Sequence, residues 1–408
     1  MAGSNLAPLH AIPISEHVYW VGAIDWNIRD FHGYATQRGT TYNAYLVLGD
    51  QITLIDTVKA PFKEEMLTRI ASIVDPREIA YVISNHAEMD HSGCLPDVIA
   101  SVNPERVFAS AQGVKALKEH FHHPYEIEAV PDGGTMMLGG RAFTFLETRM
   151  LHWPDSMFTY LADDGVLFTN DAFGMHLATT ERFDDEVSLE ILDYEAEKYF
   201  ANILLPYANL VTKLIARLPA LDWPVRVLAT DHGPVWRSRI DRILTHYTQW
   251  AEQRPTDKAL VLYDTMWGST ARMAQAVGDG LLVGGAKVKL MQLGSSHRSD
   301  VATELLTAGA LLVGSPTLNN HMFPTMADVL TYIKGLRRRN LIGGIFGSYG
   351  WGGEATTHMH EMLTGMKVEL PCPDVKVKYV PDAAALDACF TLGQCVAAQL
   401  RATRSVAS

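Results

Sequence analysis

Between Ser84 and Gly93 the sequence reads Asn85-His86-Ala87-Glu88-Met89-Asp90-His91-Ser92, which places two imidazoles and two carboxylates within six consecutive positions. Such groups at such density are ligands for a metal ion rather than turn formers. Any one of them alone is better read as a polar loop residue or a helix cap, and it is the cluster that outweighs that reading. In an extended segment alternate side chains share a face, so His86, Glu88 and Asp90 can point the same way, and His91 needs only a turn to join them. One short loop cannot wrap all four around a single ion in good geometry. The spacing therefore points to two neighbouring ions, with the remaining ligands supplied from elsewhere in the chain.

The elements that must position this loop are strands and helices of an α/β scaffold. Val18–Val21, Tyr42–Leu48 and Ile52–Ile55 read as a β-meander, and helix 62–74 leads into the apolar strand 79–84 that delivers the loop. A further strand and helix follow at 107–109 and 112–120, and strand 142–146 ends near His152-Trp153-Pro154. Met157–Leu161 is expected to pair with Val166–Thr169 through the turn Asp163-Asp164-Gly165, delivering Asp171. A helical stretch over 188–218, interrupted at Pro206, precedes strand 225–229 and Asp231-His232-Gly233. His86, Glu88, Asp90, His91, His152, Asp171 and His232 all fall just past strands, where such a scaffold gathers its functional loops.

The pattern resets near Gln253-Arg254-Pro255, beyond which five strands alternate with helices, implying a doubly wound parallel sheet. After its first strand comes Thr265-Met266-Trp267-Gly268-Ser269-Thr270, opening a helix. Hydroxyls and backbone N–H groups at a helix N-terminus can bind a phosphate without a lysine. The P-loop and G-x-G-x-x-G patterns are both absent, which disfavours a nucleotide triphosphatase. Two more loops share that sheet edge, one with Ser315, Pro316, Thr317 and Asn319, the other with Ser348, Tyr349, Gly350, Trp351 and Gly352. Glycines allow close backbone approach, while Trp351, Tyr349 and Trp267 offer flat faces to an aromatic ring. Together the three loops resemble a flavodoxin FMN site. Arg337-Arg338-Arg339, the one basic cluster, is expected to be solvated surface.

At 408 residues with 48% hydrophobic content, the chain can bury two cores. A net charge of -12 argues against nucleic acid or an anionic membrane as partner. Cys94, Cys372, Cys389 and Cys395 contain no C-x-x-C pair, which excludes a zinc knuckle or a cysteine-bound iron site of ordinary spacing. They read as reduced, buried thiols of a cytoplasmic protein, and neither an export signal nor a membrane span is expected.

The loop His86-Ala87-Glu88-Met89-Asp90-His91 resembles the H-x-H-x-D-H loop of metallo-β-lactamase-fold hydrolases, departing from it at Glu88. Four histidines and three carboxylates without thiolate suit iron or manganese better than the imidazole-rich zinc sites of those hydrolases. With the His152–Ser156, Asn170–Gly174 and Asp231–Gly233 runs and the three flavin loops, the whole chain resembles the flavodiiron proteins (A-type flavoproteins), which reduce oxygen or nitric oxide. The resemblance implies a metallo-β-lactamase-like αββα domain over 1–254 and a flavodoxin-like domain with a five-stranded parallel sheet over 255–408. It implies FMN and two non-haem irons: His86, Glu88 and His152 on one iron, Asp90, His91 and His232 on the other, and Asp171 bridging. His32 and Tyr199 match positions near the family's diiron pocket, whereas His176 and Asp56 are better read as structural. The resemblance further implies rubredoxin or a similar carrier as donor, O2 or NO as substrate, and a head-to-tail homodimer or a dimer of such dimers. A zinc hydrolase fused to a flavodoxin-like domain and a non-catalytic electron-transfer flavoprotein are the competing readings.

Overall fold

The structure is a computed structural model describing residues 9–122 and 124–407. The chain forms two compact units. The first runs up to Phe31 and continues through Thr36–Tyr199 and Asn209–Thr248; the second comprises His32–Ala35, Phe200–Ala208 and the chain from Gln249 onward.

Two sheets build the first unit. One contains β1 (Ile12–Pro13), β2 (Val18–Trp20), β3 (Tyr45–Val47), β4 (Ile52–Ile55), β5 (Ile79–Ser84), β6 (Arg106–Ala109) and β7 (Glu128–Ala129), adjacent in that order. It begins antiparallel and turns parallel from β4 onward, where helices α1 (Lys63–Ala71), α3 (Leu95–Val102) and α4 (Ala111–Phe121) provide the crossovers. The other contains β8 (Thr135–Leu138), β9 (Arg141–Glu147), β10 (Met157–Leu161), β11 (Val166–Asn170) and β12 (Val227–Thr230). Trp20, Tyr45, Ile55 and Phe108 from the first sheet meet Phe143, Phe145, Phe168 and Ala229 from the second in one core. Leu54, Val82, Met66, Val98 and Leu117 pack the helices on the first sheet's outer face. Strand β5 is buried along its whole length, which is why its sequence is continuously apolar rather than alternating. The β10–β11 hairpin forms with Leu161 opposite Val166, as the Asp163-Asp164-Gly165 turn implies. The interrupted helix after Ser188 resolves into α5 (Leu189–Tyr199), a π-helical turn at Phe200–Leu204, a 3₁₀ turn around Pro206, and α6 (Ala208–Arg217).

In the second unit β13 (Lys258–Tyr263), β14 (Lys287–Gln292), β15 (Ala310–Leu318), β16 (Ile342–Tyr349) and β17 (Val375–Lys378) are all parallel, in spatial order β14-β13-β15-β16-β17. This is the flavodoxin-like order, which collects ligand loops at the carboxyl ends of the strands. In sequence, helix α7 (Ile240–Glu252) precedes β13, α8 (Ser269–Val283) follows it, α9 (Arg298–Leu306) follows β14, α10 (Pro324–Leu336) follows β15 and α11 (Ala355–Gly365) follows β16. The last helix, α12 (Ala383–Ala407), includes a stretch, Ala383–Thr403, long and apolar enough to cross a membrane by length and composition. Here its Cys389, Leu392, Val396, Ala397 and Leu400 pack into the core of the second unit.

Two expectations are corrected. Arg338 is buried rather than solvated: its guanidinium donates to the carbonyls of Gln253, Leu305 and Ala308, which satisfies the charge-bearing group inside the fold. Cys372 and Cys395 are not reduced thiols but form a disulfide tying the segment before β17 to α12. Only Cys94 and Cys389 are free, and both are buried.

Candidate metal centre and cofactor cavity

Strand β5 ends at Ser84, and Asp56 then captures the next residue, accepting from the Asn85 backbone N–H at 2.7 Å and its side-chain amide at 2.8 Å. Thr159 on β10 donates to Asn85 Oδ1 at 2.6 Å, so the ligand loop is anchored from both sheets. Glu88 lies in extended backbone, but the chain then enters a single helical turn, Met89–Ser92 (α2), with Ser92 Oγ donating to Ala87 O at 2.7 Å. Asp90 therefore does not share a face with His86 and Glu88 as strict alternation implies. The turn carries Asp90 and His91 into a second group. His152 comes from the β9–β10 connection, Asp171 follows β11 and His232 follows β12. Beyond His232, Gly233 adopts φ 75° where a Cβ would come within 2.6 Å of Met175 Cγ, so the sharp exit from β12 requires glycine.

The seven residues form two groups, His86, Glu88, His152 and Asp171 in one, and Asp90, His91 and His232 in the other. Asp171 faces both. Its Oδ2 lies 3.1 Å from His86 Nε2 and 3.1 Å from His152 Nε2, while its Oδ1 lies 3.3 Å from His91 Nε2 and 3.4 Å from His232 Nε2. Glu88 Oε2 is 3.1 Å from His152 Nε2, and Asp90 Oδ2 is 3.2 Å from His232 Nε2. Ligand atoms bound at about 2.1 Å stand about 3.0–3.4 Å apart at the edges of octahedral and tetrahedral shells, so these separations are those of coordination polyhedra. Hydrogen bonding does not account for them. His86 Nε2, His91 Nε2, Asp90 Oδ1 and Asp171 Oδ2 are buried with no hydrogen-bond partner, a costly arrangement that two cations would relieve. Each group offers two imidazoles and one carboxylate of its own, the donor set suited to non-haem iron, and Asp171 can serve both ions.

Around this centre the second nitrogens of the imidazoles are held. His86 Nδ1 donates to Asp155 Oδ2 at 2.9 Å, and His232 Nδ1 donates to the Thr41 carbonyl at 2.6 Å. His91 Nδ1 faces Asp231 Oδ2 at 3.5 Å. The hydrogen bonds of His86 and His232 fix which of their nitrogens points inward, whereas His91 Nδ1 and the Asp231 carboxylate are buried without a hydrogen-bond partner. Tyr199, at the end of α5, donates its hydroxyl to Asp171 Oδ1 at 2.8 Å. Burial, reinforced by Asp171, raises the Tyr199 pKa well above the usual phenol range, so it stays a neutral donor. Burial works to raise the pKa of Asp171, but the imidazoles of His91, His152 and His86 outweigh it and hold that carboxylate well below its usual range. His176 is neutral, because burial and then the neighbouring His232 lower its pKa; its Nδ1 is hydrogen-bonded to Thr40 Oγ1 at 2.9 Å. His32 is exposed in the turn between the short strands Asp30–Phe31 and Tyr34–Ala35, with φ 56°, and belongs to neither ligand group. Sequence reading did not assign Asp155 or Asp231 a role, although both sit within quoted runs, adjacent to or near a ligand histidine. It took Asp56 for a structural residue, and Asp56 does hold the ligand loop; its pKa is pushed up to about 6 by burial.

In the second unit, a cavity of about 690 Å³ opens at the carboxyl ends of β13, β15 and β16. Thr265, Met266, Trp267, Ser269, Pro316, Thr317, Asn319, Ser348, Tyr349, Gly350, Trp351 and Gly352 line it, together with Asn320, Tyr379 and Val380. Gly268, Thr270 and Ser315 adjoin these lining residues in sequence without lining the cavity themselves. Thr270 and Ser348 share a buried hydroxyl hydrogen bond of 2.9 Å, Gly268 takes φ 83° at the N-terminus of α8, and Ser315 Oγ accepts from Phe323 N at 2.8 Å. Trp351 is 87% exposed and Trp267 is 93% exposed, so neither ring is used in the protein's own core. Hydroxyls at a helix N-terminus beside open aromatic faces fit a phosphate-bearing aromatic cofactor such as FMN.

Residues 40–233 match the ODP-family β-lactamase model and residues 261–393 the flavodoxin model. The rubredoxin-oxygen oxidoreductase of Megalodesulfovibrio gigas is 45% identical over 97% of this chain and 99% of its own. The nitric oxide reductase of Moorella thermoacetica is 44% identical over 95% of this chain and 98% of its own. Among solved structures, the flavodiiron protein of Giardia intestinalis superposes with a TM-score of 0.93 at 32% identity, covering 97% of this chain and 98% of that one. The chain belongs to the flavodiiron proteins.

Proposed function

We propose that this protein is a flavodiiron oxidoreductase that reduces O2 to water, NO to N2O, or both, with electrons arriving through FMN from rubredoxin or a similar carrier. The observation that carries the reading is the single carboxylate of Asp171 shared between two sets of two imidazoles and one carboxylate. His86, Glu88 and His152 would hold one iron, Asp90, His91 and His232 the other, with Asp171 bridging. When bound, two ferrous ions would supply two electrons and reduced FMN two more, enough for the four that O2 needs or the two that a pair of NO molecules needs. The chain's own part is to fix that chemistry in place. Asp155 and the Thr41 carbonyl orient His86 and His232, and the Tyr199 hydroxyl holds Asp171 in its shared position. His32 and Tyr199 are the candidates for steadying a diatomic substrate, Tyr199 only by turning its one O–H away from Asp171.

Thr265–Thr270, Ser315–Asn319 and Ser348–Gly352 would hold FMN, with Trp351 stacking on its ring. In this reading the metal domain spans 1–254 and the flavin domain 255–408, the protein works in the cytoplasm, and it assembles as a head-to-tail homodimer or a dimer of such dimers. The test is to load the protein with iron and FMN, supply reduced rubredoxin anaerobically, and follow O2 and NO with electrodes on one preparation. Consumption of at least one gas, lost in Glu88→Ala together with iron, is expected. Zinc in place of iron and no uptake of either gas would sink the reading.

A further inference from the structure

Strand β17 sits at an edge of the second unit's sheet, paired along its four residues with β16 alone. So short a ladder opens readily, and what flanks the strand decides how often it does. Its far end leads into Tyr379 and Val380, which line the flavin cavity, and Tyr379 N donates to the Tyr349 carbonyl at 2.7 Å. Its near end begins just after Cys372. Upstream of it Glu369 pairs with Ile342 and Val375 with Phe346, so the chain makes more steps than β16 does between these two points. The surplus run Leu370-Pro371-Cys372-Pro373-Asp374 bows away from the ladder, and its two prolines offer no N–H to it. This bow is fastened by the bond from Cys372 to Cys395 on α12, and by Asp374 Oδ2 standing 3.0 Å from His360 Nδ1 on α11. The bond lies close to the surface. Cys395 is only half-buried, and Pro371, Pro373 and Asp374 around the buried Cys372 are exposed. The other two cysteines cannot scramble it: Cys94 and Cys389 are fully buried, and burial pushes both thiols up, Cys389 to about 11, so neither is a thiolate near neutrality.

We propose that Cys372 and Cys395 form a reversible thiol switch that sets how firmly the second unit holds its flavin. The inference rests on the FMN part of the flavodiiron reading and adds regulation to that cavity. In a reducing cytoplasm, where that reading places the chain, a disulfide is transient and serves catalysis or sensing. Hydrogen peroxide closes the switch. One cysteine thiolate attacks the O–O bond, which breaks to leave a sulfenic acid and a first water; the second sulfur then attacks the first, the S–S bond forms and a second water leaves. Two electrons pass from the sulfurs to the peroxide, and the two thiol protons end in the waters. A dithiol reductant opens the switch by exchange, returning two electrons and two protons and leaving as its own disulfide. The closed bond restricts the detached strand, removes entropy from the locally opened state and so keeps Tyr379 and Val380 against the cavity. Once the bond is opened, β17 detaches more often and the flavin escapes past it. The flavin is therefore held most firmly under oxidising conditions.

The test uses the iron- and FMN-loaded full chain, oxidised with stoichiometric hydrogen peroxide or reduced with dithiothreitol, then freed of reagent anaerobically. Alkylation followed by mass measurement counts the Cys372 and Cys395 thiols in each sample, and the fluorescence of FMN released after dilution gives its dissociation rate. Reduced protein should release FMN at least about threefold faster than oxidised protein. Cys395→Ser should release it at the fast rate after either treatment, while Cys389→Ala should respond as wild type does. Equal release rates from wild-type samples whose thiol counts differ would overturn the switch and leave the flavin reading intact. Thiol counts that stay the same under both treatments would overturn it too, since the pair would then be a permanent bond or no bond. Protein that retains no FMN in either state would sink the flavin reading and the switch with it.

Discussion

The carboxylate that faces both candidate ligand groups depends on one neutral hydroxyl. Tyr199 donates to Asp171 Oδ1 at 2.8 Å inside the site, and removing that donor leaves the lone pair to be filled by water or a shifted ligand. Tyr199→Phe is expected to keep iron content and fold while lowering gas consumption about tenfold, the lower range of effects seen when a group supporting metal ligands is lost. Metal analysis beside electrode rates checks it, and an unchanged rate would make Tyr199 a packing residue only. The imidazoles predict a proton balance. Burial alone would lower the pKa of His91, but Asp90, Asp171 and Asp231 outweigh it and raise it to about 10. The metal-free ring therefore carries a proton near neutrality, and that proton must leave before Nε2 can bind iron. Ferrous affinity of the metal-free protein should rise with pH up to about 10 and fall as pH falls, with protons released on loading. Anaerobic ferrous titration in weak buffer reads this directly; uptake without proton release would contradict it.

Elements decide which parts of this were legible before folding. All seven candidate ligands could be picked out because each sits in a loop that follows a strand and because the family resemblance named the set. The supporting contacts could not, since Asp56 reaches Asn85 and Asp155 reaches His86 only through the packing of neighbouring segments. The same holds for Arg338: three consecutive arginines read as surface, and only the carbonyls of Gln253, Leu305 and Ala308, distant in sequence, make a buried guanidinium tenable. The Cys372–Cys395 bond has no motif at all, as its partners are 23 residues apart on a loop and a helix. Closing a loop of that length removes unfolded-state entropy worth about 3 kcal/mol in the chain-entropy model. Reduction by dithiothreitol, or Cys395→Ser, should therefore lower the denaturation midpoint of the second unit, with the unfolding of the first unchanged. Identical unfolding with and without reductant would show that the bond does not form in solution.

At the scale of the molecule, the metal groups and the flavin cavity belong to different compact units, so turnover requires electrons to pass between two separately built sites. If assembly is a head-to-tail dimer, each working pair consists of one subunit's flavin and the other's irons. That arrangement has a consequence a self-sufficient subunit lacks. Glu88→Ala disables one subunit's metal group and leaves its cavity intact, while Trp351→Ala with Thr270→Val disables a cavity and leaves the metal group intact. Each variant alone should be inactive. Co-expressed, their mixed dimers place an intact cavity beside intact irons once per dimer, and random pairing should restore about a quarter of wild-type gas consumption. Differentially tagged subunits, purified in sequence, isolate the mixed dimer and should raise that fraction to about half. Activity that stays at zero in the isolated mixed dimer would mean that each subunit supplies both of its own sites, and would rule out the head-to-tail assembly.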